Sequence, residues 1–247
     1  MITNQDLKQI ADFHSLNLGQ AEKYFFQDLV LFILYKKYSK DLVFKGGTAL
    51  SKCYGFDRFS EDLDFTQTNK LEFFARDLSA GLKNFNITFD LNSKQTYDSI
   101  NFRLLVQGPL YVQNNKRTFC SLKLDLSLRE EVLLDTALVK IRPCLNIIPF
   151  FDVAVMSKKE IFAEKIRTVF TRNQARDLYD LYYLDDSVAE VELINKKLKY
   201  YKLKFSLNKL RKAVTEKKPV WDKELRHLVK NYPSFEKVKN KIIGYFS

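Results

Sequence analysis

Cysteine, glycine, proline, histidine and tryptophan are all scarce in this 247-residue chain, which has 3 Cys, 7 Gly, 5 Pro, 2 His and 1 Trp. So few glycines and prolines exclude a collagen-like repeat and a low-complexity, disordered composition. The three cysteines, Cys53, Cys120 and Cys144, are an odd number without paired spacing. Neither a disulfide framework nor a zinc motif is expected, and a reducing, cytoplasmic setting is. His14 and His227 lie far apart, with no cysteine or serine partner in any motif, which argues against a hydrolase built on an imidazole base. The longest apolar run, Leu29 to Tyr35, falls far short of the ~20 residues of a membrane-spanning helix. The first residues lack the basic start and apolar core of a signal peptide.

What is present is an ordinary globular composition with an uneven charge. Hydrophobic residues make up 46% of the chain, and the length suits one large domain or two small ones. The formal net charge is +11. Residues 1–189 hold 25 basic and 24 acidic side chains, whereas residues 190–247 hold 16 basic and 6 acidic. The surplus is thus confined to the last quarter. It reads either as a solvated lysine-rich surface or as a footprint for a polyanion such as RNA.

Periodicity divides the chain near residues 150–157. Before that point, a buried helix is expected over 20–39, a strand over 42–44, a short helix from about Thr48 to Tyr54 and a strand around Leu63 and Phe65. A helix over 70–84 and strands over 86–91, 99–107 and 117–128 follow. In the last of these, Asp125 lies on the polar face. After the division the pattern is helical. Ser157 and Glu160 match a capping box, and helices are expected to about Arg172, from about Ala175 to Leu184, and over 188–202, 206–217, 220–231 and 234–246. The expected architecture is α/β (α+β): a mixed sheet flanked by helices in a domain 1–155, then a C-terminal helical bundle in a domain 156–247. The second domain is expected to complete the site and to carry a basic face.

The chemistry concentrates in Lys45-Gly46-Gly47-Thr48-Ala-Leu-Ser-Lys52, followed by Arg58-Phe-Ser60-Glu-Asp62-Leu-Asp64. Gly46 and Gly47 allow backbone amides to approach a ligand closely. A helix starting near Thr48 aims free amides and its positive end at the same place. Asp62 and Asp64 lie two apart on a strand, so their carboxylates share a face and repel unless a cation lies between them. Such oxygen ligands, with room for phosphate oxygens and water, suit Mg2+. Asp125 is the third acid that a two-metal clamp requires. Alone, a Gly-Gly pair is a turn and an Asp-x-Asp is a solvated edge. In this order they resemble the arrangement of the nucleotidyltransferase fold of the polymerase-β superfamily, and they do not match a Walker P-loop.

A second cluster runs from Glu164-Lys165 through Arg172 to Arg176-Asp177-Leu-Tyr-Asp180. Lys165 and Arg172 share a helix face, and Arg176 and Asp180 are one turn apart on the next helix. The basic face can grip triphosphate oxygens, with the aspartates orienting it. It can equally be an inter-helix salt-bridge network. Lys165 lies in an apolar stretch, where its burial calls for an anion.

These motifs, from Phe44-Lys-Gly-Gly-Thr-Ala-Leu through Lys123-Leu-Asp125 to Arg176-Asp-Leu-Tyr-Asp-Leu-Tyr182, resemble the AbiEii family of nucleotidyltransferase toxins. That family serves type IV toxin–antitoxin and abortive-infection systems and has the mycobacterial MenT toxins as relatives. The resemblance spans about 20–185 and implies a metal-dependent enzyme that transfers NMP from an NTP to an RNA acceptor, the tRNA 3′ end, and arrests growth. It places Gly46, Gly47, Thr48, Lys52, Ser60, Lys165, Arg172, Arg176 and Asp180 at the nucleotide. Asp62, Asp64 and Asp125 would hold Mg2+ or Mn2+, and Lys165 and Asp177 would join them in catalysis. Asp177 and Asp180 both fit the family's late aspartate. A cognate antitoxin is an implied partner, with no membrane. Other readings of the same site are transfer to a small molecule or a protein hydroxyl, or a nucleotide- or antitoxin-binding module without turnover.

Overall fold

The computed structural model describes residues 2–129, 131–184, 189–226 and 228–247; His227 therefore lies outside the described residues. The chain forms two compact units. The first comprises Met1–Cys53, Phe59–Glu131 and Thr136–Val155, and the second Tyr54–Arg58, Val132–Asp135 and Met156–Ser247. The division is thus not one cut at residue 155, since two short segments of the first half of the chain belong with the helical unit. Among the described residues no helix is long and apolar enough to cross a membrane.

The first unit is built on a seven-stranded sheet: β1 (Leu42–Lys45), β2 (Leu63–Gln67), β3 (Phe89–Gln95), β4 (Ser99–Val106), β5 (Cys120–Ser127), β6 (Ala137–Ile141) and β7 (Phe151–Val155). Their order across the sheet is β3-β4-β5-β2-β1-β7-β6. β2 runs parallel to β5, and β1 runs parallel to β7 and antiparallel to β2. The sheet is therefore mixed, as expected. Phe44, Phe65, Leu124 and Leu126 pack inside it, so one face belongs to the core.

Helix α1 (Asn4–His14) and helix α2 (Leu18–Tyr35) precede the sheet. Asn17 caps α2, accepting from the Gln20 amide while Gln20 answers the Asn17 amide. Most of α2 is buried, which fits its near-continuous apolar sequence. Helix α3 (Gly46–Tyr54) begins two residues earlier than the sequence pattern indicates, and α4 (Phe74–Asn84) begins four later than expected. α1, β6 and β7 have no counterpart among the elements expected from the sequence.

The second unit holds α5 (Lys158–Thr171), α6 (Ala175–Tyr183), α7 (Val191–Lys199), α8 (Leu207–Thr215), α9 (Trp221–Leu225) and α10 (Phe235–Gly244). The Ser157 hydroxyl accepts from the Glu160 amide, but the Glu160 carboxylate does not close the capping box. It accepts instead from the Leu133 and Leu134 amides and meets the buried Lys197 ammonium at 2.5 Å. A stronger, charge-assisted set of partners has outcompeted the local cap. Not all of the tail's positive charge reaches solvent. Lys197 is enclosed between Glu160 and Glu164, and the buried Lys217 ammonium donates to Val169 O and Ala213 O.

Inside the first unit, His14 is not without a partner. Its Nε2 lies 3.0 Å from Cys144 Sγ, and its ring is tilted against Tyr24. Sequence proximity could not show a pairing across 130 positions. Burial, reinforced by the Lys52 charge, pushes this imidazole down to about 4. In the unfolded chain it titrates near 6.5, so between these values the unfolded state takes up a proton that the folded state refuses. Stability should therefore fall as pH falls from about 6.5 to 4. In thermal melts across that window, His14→Leu should show a shallower loss than the parent, and parallel curves would contradict this assignment.

Candidate active site

Register on the sheet gathers the acids. Asp64 on β2 pairs directly with Asp125 on β5. Cross-strand partners share a sheet face, so one polar row runs Lys45, Asp64, Asp125, Asn101, Lys94 across five strands. A second row carries Lys123, Arg103 and Asn92, with Asp62 one residue ahead of β2. Asp62, Asp64 and Asp125 line one cavity of about 410 Å³, together with Lys94, Arg103 and Lys123. One step behind the acid pair, Thr66 and Ser127 face each other, buried, with hydroxyls that have no hydrogen-bond partner among the described residues.

The Gly-Gly turn is shaped around Asp64. Gly46 adopts φ +75°, and a Cβ built there would lie 2.2 Å from Asp64 Oδ2. Only glycine satisfies both conditions. Gly47 and Thr48 follow in the first turn of α3, buried. The Thr48 hydroxyl donates to Asp62 O at 2.5 Å, tying the helix start to the acid-bearing segment. Ser60 contributes its carbonyl, which accepts from Gln27 Nε2 at 2.8 Å; the same amide reaches Glu61 O at 3.0 Å. Gln27 was not singled out in the sequence, although a Gln-Asp pair inside the apolar helix α2 is a visible signal. Its neighbour Asp28 takes up Lys52. The Lys52 ammonium lies 2.7 Å from Asp28 Oδ1 and 3.1 Å from the centre of the Tyr24 ring, with its side chain 2% exposed. Lys52 thus points into the interior of the first unit, away from the cavity that holds the acids.

The donor set fits a hard divalent cation completed by substrate. Among the described residues, no three histidine, cysteine or acidic side chains converge into a ready-made metal cage. Mg2+ does not require one, since it keeps several waters and uses one or two carboxylates plus substrate phosphates.

In the second unit the later motif forms a closed network. Arg58 grips Asp180 through Nε at 2.5 Å and a terminal nitrogen at 2.7 Å. Lys165 Nζ bridges Asp177 at 3.0 Å and Asp180 at 2.7 Å. Arg172 is bidentate on Asp177, with both contacts at 2.8 Å. Both aspartates are fully buried and both belong to this network. Nearby cations outweigh burial and hold both carboxyls below the usual range: Lys165 and Arg172 for Asp177, Arg58 and Lys165 for Asp180. Arg176 lies apart from this network, against Gln174 and, at 3.7 Å, Glu224.

Because a depressed carboxyl contributes stability above its unfolded pKa and loses it as pH falls further, the network is at full strength at neutral pH. Asp180→Asn should therefore lower unfolding free energy at pH 7 by roughly 3–5 kcal/mol, since it leaves Arg58 and Lys165 short of a buried counter-charge. Urea unfolding measures this, and a loss under about 1 kcal/mol would show the network to be dispensable.

Three solved structures share the fold at low identity. MenT4, a nucleotidyltransferase toxin from Mycobacterium tuberculosis H37Rv, superposes with a TM-score of 0.69 at 19% identity, covering 100% of this chain and 89% of its own. JHP933 from Helicobacter pylori gives 0.61 at 20% identity, with 92% and 89% covered. A putative nucleotidyltransferase from H. pylori gives 0.59 at 21% identity, with 90% and 91% covered. None of the curated proteins matches this chain. Residues 30–241 match the family described as nucleotidyl transferase AbiEii toxin, type IV TA system. The chain belongs to this family of nucleotidyltransferase toxins, enzymes that use an NTP and are paired with a cognate antitoxin.

Proposed function

We propose that this toxin transfers NMP from an NTP to the 3′ end of an RNA, with tRNA the acceptor, and releases pyrophosphate. The observation that carries this reading is the in-register pair Asp64 and Asp125, sharing a cavity with Asp62. Carboxylates gathered on one sheet face beside an open cavity are the oxygen ligands that a divalent cation shares with substrate phosphates. Asp62, Asp64 and Asp125 would hold Mg2+ or Mn2+, which when bound neutralises charge on the phosphates. Gly46, Gly47 and Thr48 present backbone amides at the start of α3 to the triphosphate. Asp125 accepts the proton of the acceptor hydroxyl as that oxygen bonds to the α-phosphorus and the bond to pyrophosphate breaks. In the second unit, Arg58, Lys165 and Arg172 meet Asp177 and Asp180, and the aspartates fix these bases in place.

Purified protein incubated with Mg2+, each labelled NTP in turn and total tRNA should label RNA at its 3′ end. Asp62→Ala and Asp125→Ala should abolish labelling while leaving the fold intact, and Gly46→Ala should lower it by at least about a hundredfold, the scale set by a one-ångström misplacement. No labelled RNA with any of the four NTPs would overturn the reading, and labelling by Asp62→Ala would show the acids to be misassigned.

A further inference from the structure

We propose that the acceptor enters as a single strand over β3, β4 and β5, held by Lys94, Arg103 and Lys123. This rests on the nucleotidyl-transfer reading above and names the surface through which the same site takes its RNA. The three cations lie on adjacent strands, exposed, and line the cavity of the acids. Arg103 and Lys123 are direct cross-strand partners. Like charges directly opposite one another destabilise a sheet. Yet among the described residues no ion pair or hydrogen bond compensates Lys94, Arg103 or Lys123, although Lys–acid pairs are formed elsewhere on this unit. A face that carries an uncompensated repulsion beside a catalytic cavity is complementary to an anion that arrives with substrate.

Sheet order identifies that anion. The sequence of strands β3-β4-β5-β2-β1 puts the acids of β2 and β5 between the Gly46–Thr48 turn, which follows β1, and the cations. With neighbouring strands about 4.8 Å apart, β1 and β4 are separated by roughly 14 Å and β1 and β3 by roughly 19 Å. A triphosphate seated on the turn is held on the β1 side of the acids, and the β3–β5 cations are left for a second polyanion on the Asp125 side. The acceptor's own backbone is that polyanion. The tip of the β3–β4 hairpin adds Tyr97, 97% exposed, the kind of aromatic on which an unpaired base stacks. Cations that track a backbone beside an aromatic platform are the means by which proteins hold single strands without reading sequence.

The test uses the full-length protein, a fluorescent single-stranded RNA and total tRNA, and binding measured by anisotropy across a salt series. Lys94→Ala/Arg103→Ala/Lys123→Ala should weaken binding of both RNAs at least about tenfold and flatten the slope of log K against log salt by about 2, the loss of three phosphate contacts on a single strand. Tyr97→Ala should weaken binding without changing that slope, and Tyr97→Phe should restore it. Mg2+-NTP affinity by calorimetry, and the melting temperature, should remain near the parent's. The inference is overturned if RNA affinity stays within about twofold of the parent's, if NTP affinity falls in step with it, or if the loss follows instead from Lys209→Ala/Arg211→Ala/Lys212→Ala in the basic tail. RNA binding lost in the triple variant, with no nucleotide ever transferred by the parent, would defeat the enzymatic reading while leaving this surface in place.

Discussion

Two carboxylates set directly side by side on neighbouring strands are the constraint around which the first unit is organised. Asp64 and Asp125 meet because β2 runs parallel to β5 in a fixed register, and slipping either strand by one residue would turn its acid to the opposite face. Each surrounding feature can be read as support for that placement. Gly46 gives up a side chain so that the Asp64 carboxylate can lie against its backbone. Thr48 ties the first turn of α3 to Asp62 O, and Gln27, buried in α2, holds the backbone of Ser60 and Glu61. The Asp28–Lys52 pair joins α2 to α3 from within. The segments that carry the acids are thus held by hydrogen bonds within the protein before any ligand arrives, which is preorganisation in the physical sense.

The second unit solves a different electrostatic problem. Burying two aspartates is expensive unless cations meet them, and Arg58, Lys165 and Arg172 do so with two bidentate contacts and a bridging ammonium. Arg58 comes from far upstream, within the same seven-residue motif that carries Asp62 and Asp64. The chain passes between the two units at this motif, since Arg58 belongs to one and Ser60 to the other. A single short motif therefore anchors one unit and arms the other.

Much of this was legible in the residues, for identifiable reasons. Strand β1 announces itself as a short apolar run before the glycines and β2 and β5 by alternation, and Asp64 and Asp125 by falling on polar positions of those two strands. The lysine and aspartates of the later motif were visible as a cluster, but spacing alone could not separate a phosphate grip from an ion-pair network; that depends on side-chain reach across helices. Lys52 shows the limit of motif logic. Its position after the Gly-Gly turn suggests a phosphate ligand, yet it faces inward because Asp28, 24 residues earlier, turns the same way. The cationic row of Lys94, Arg103 and Lys123 was equally hidden, because it exists only through register: nothing in the separate strands says that Arg103 and Lys123 are opposite each other. The boundary of the helical unit was approximate because segments 54–58 and 132–135 return to it out of sequence.

The account stands on the claim that the paired carboxylates exist to hold a divalent cation together with the nucleotide. Binding of Mn2+, followed by electron paramagnetic resonance in the presence of a non-hydrolysable NTP analogue, tests that claim without requiring any acceptor. The account predicts saturable binding by the parent protein and a loss of affinity of at least about tenfold in both Asp64→Asn and Asp125→Asn, the scale of removing one ligand from a carboxylate site. Binding by the two variants as tight as the parent's would contradict it.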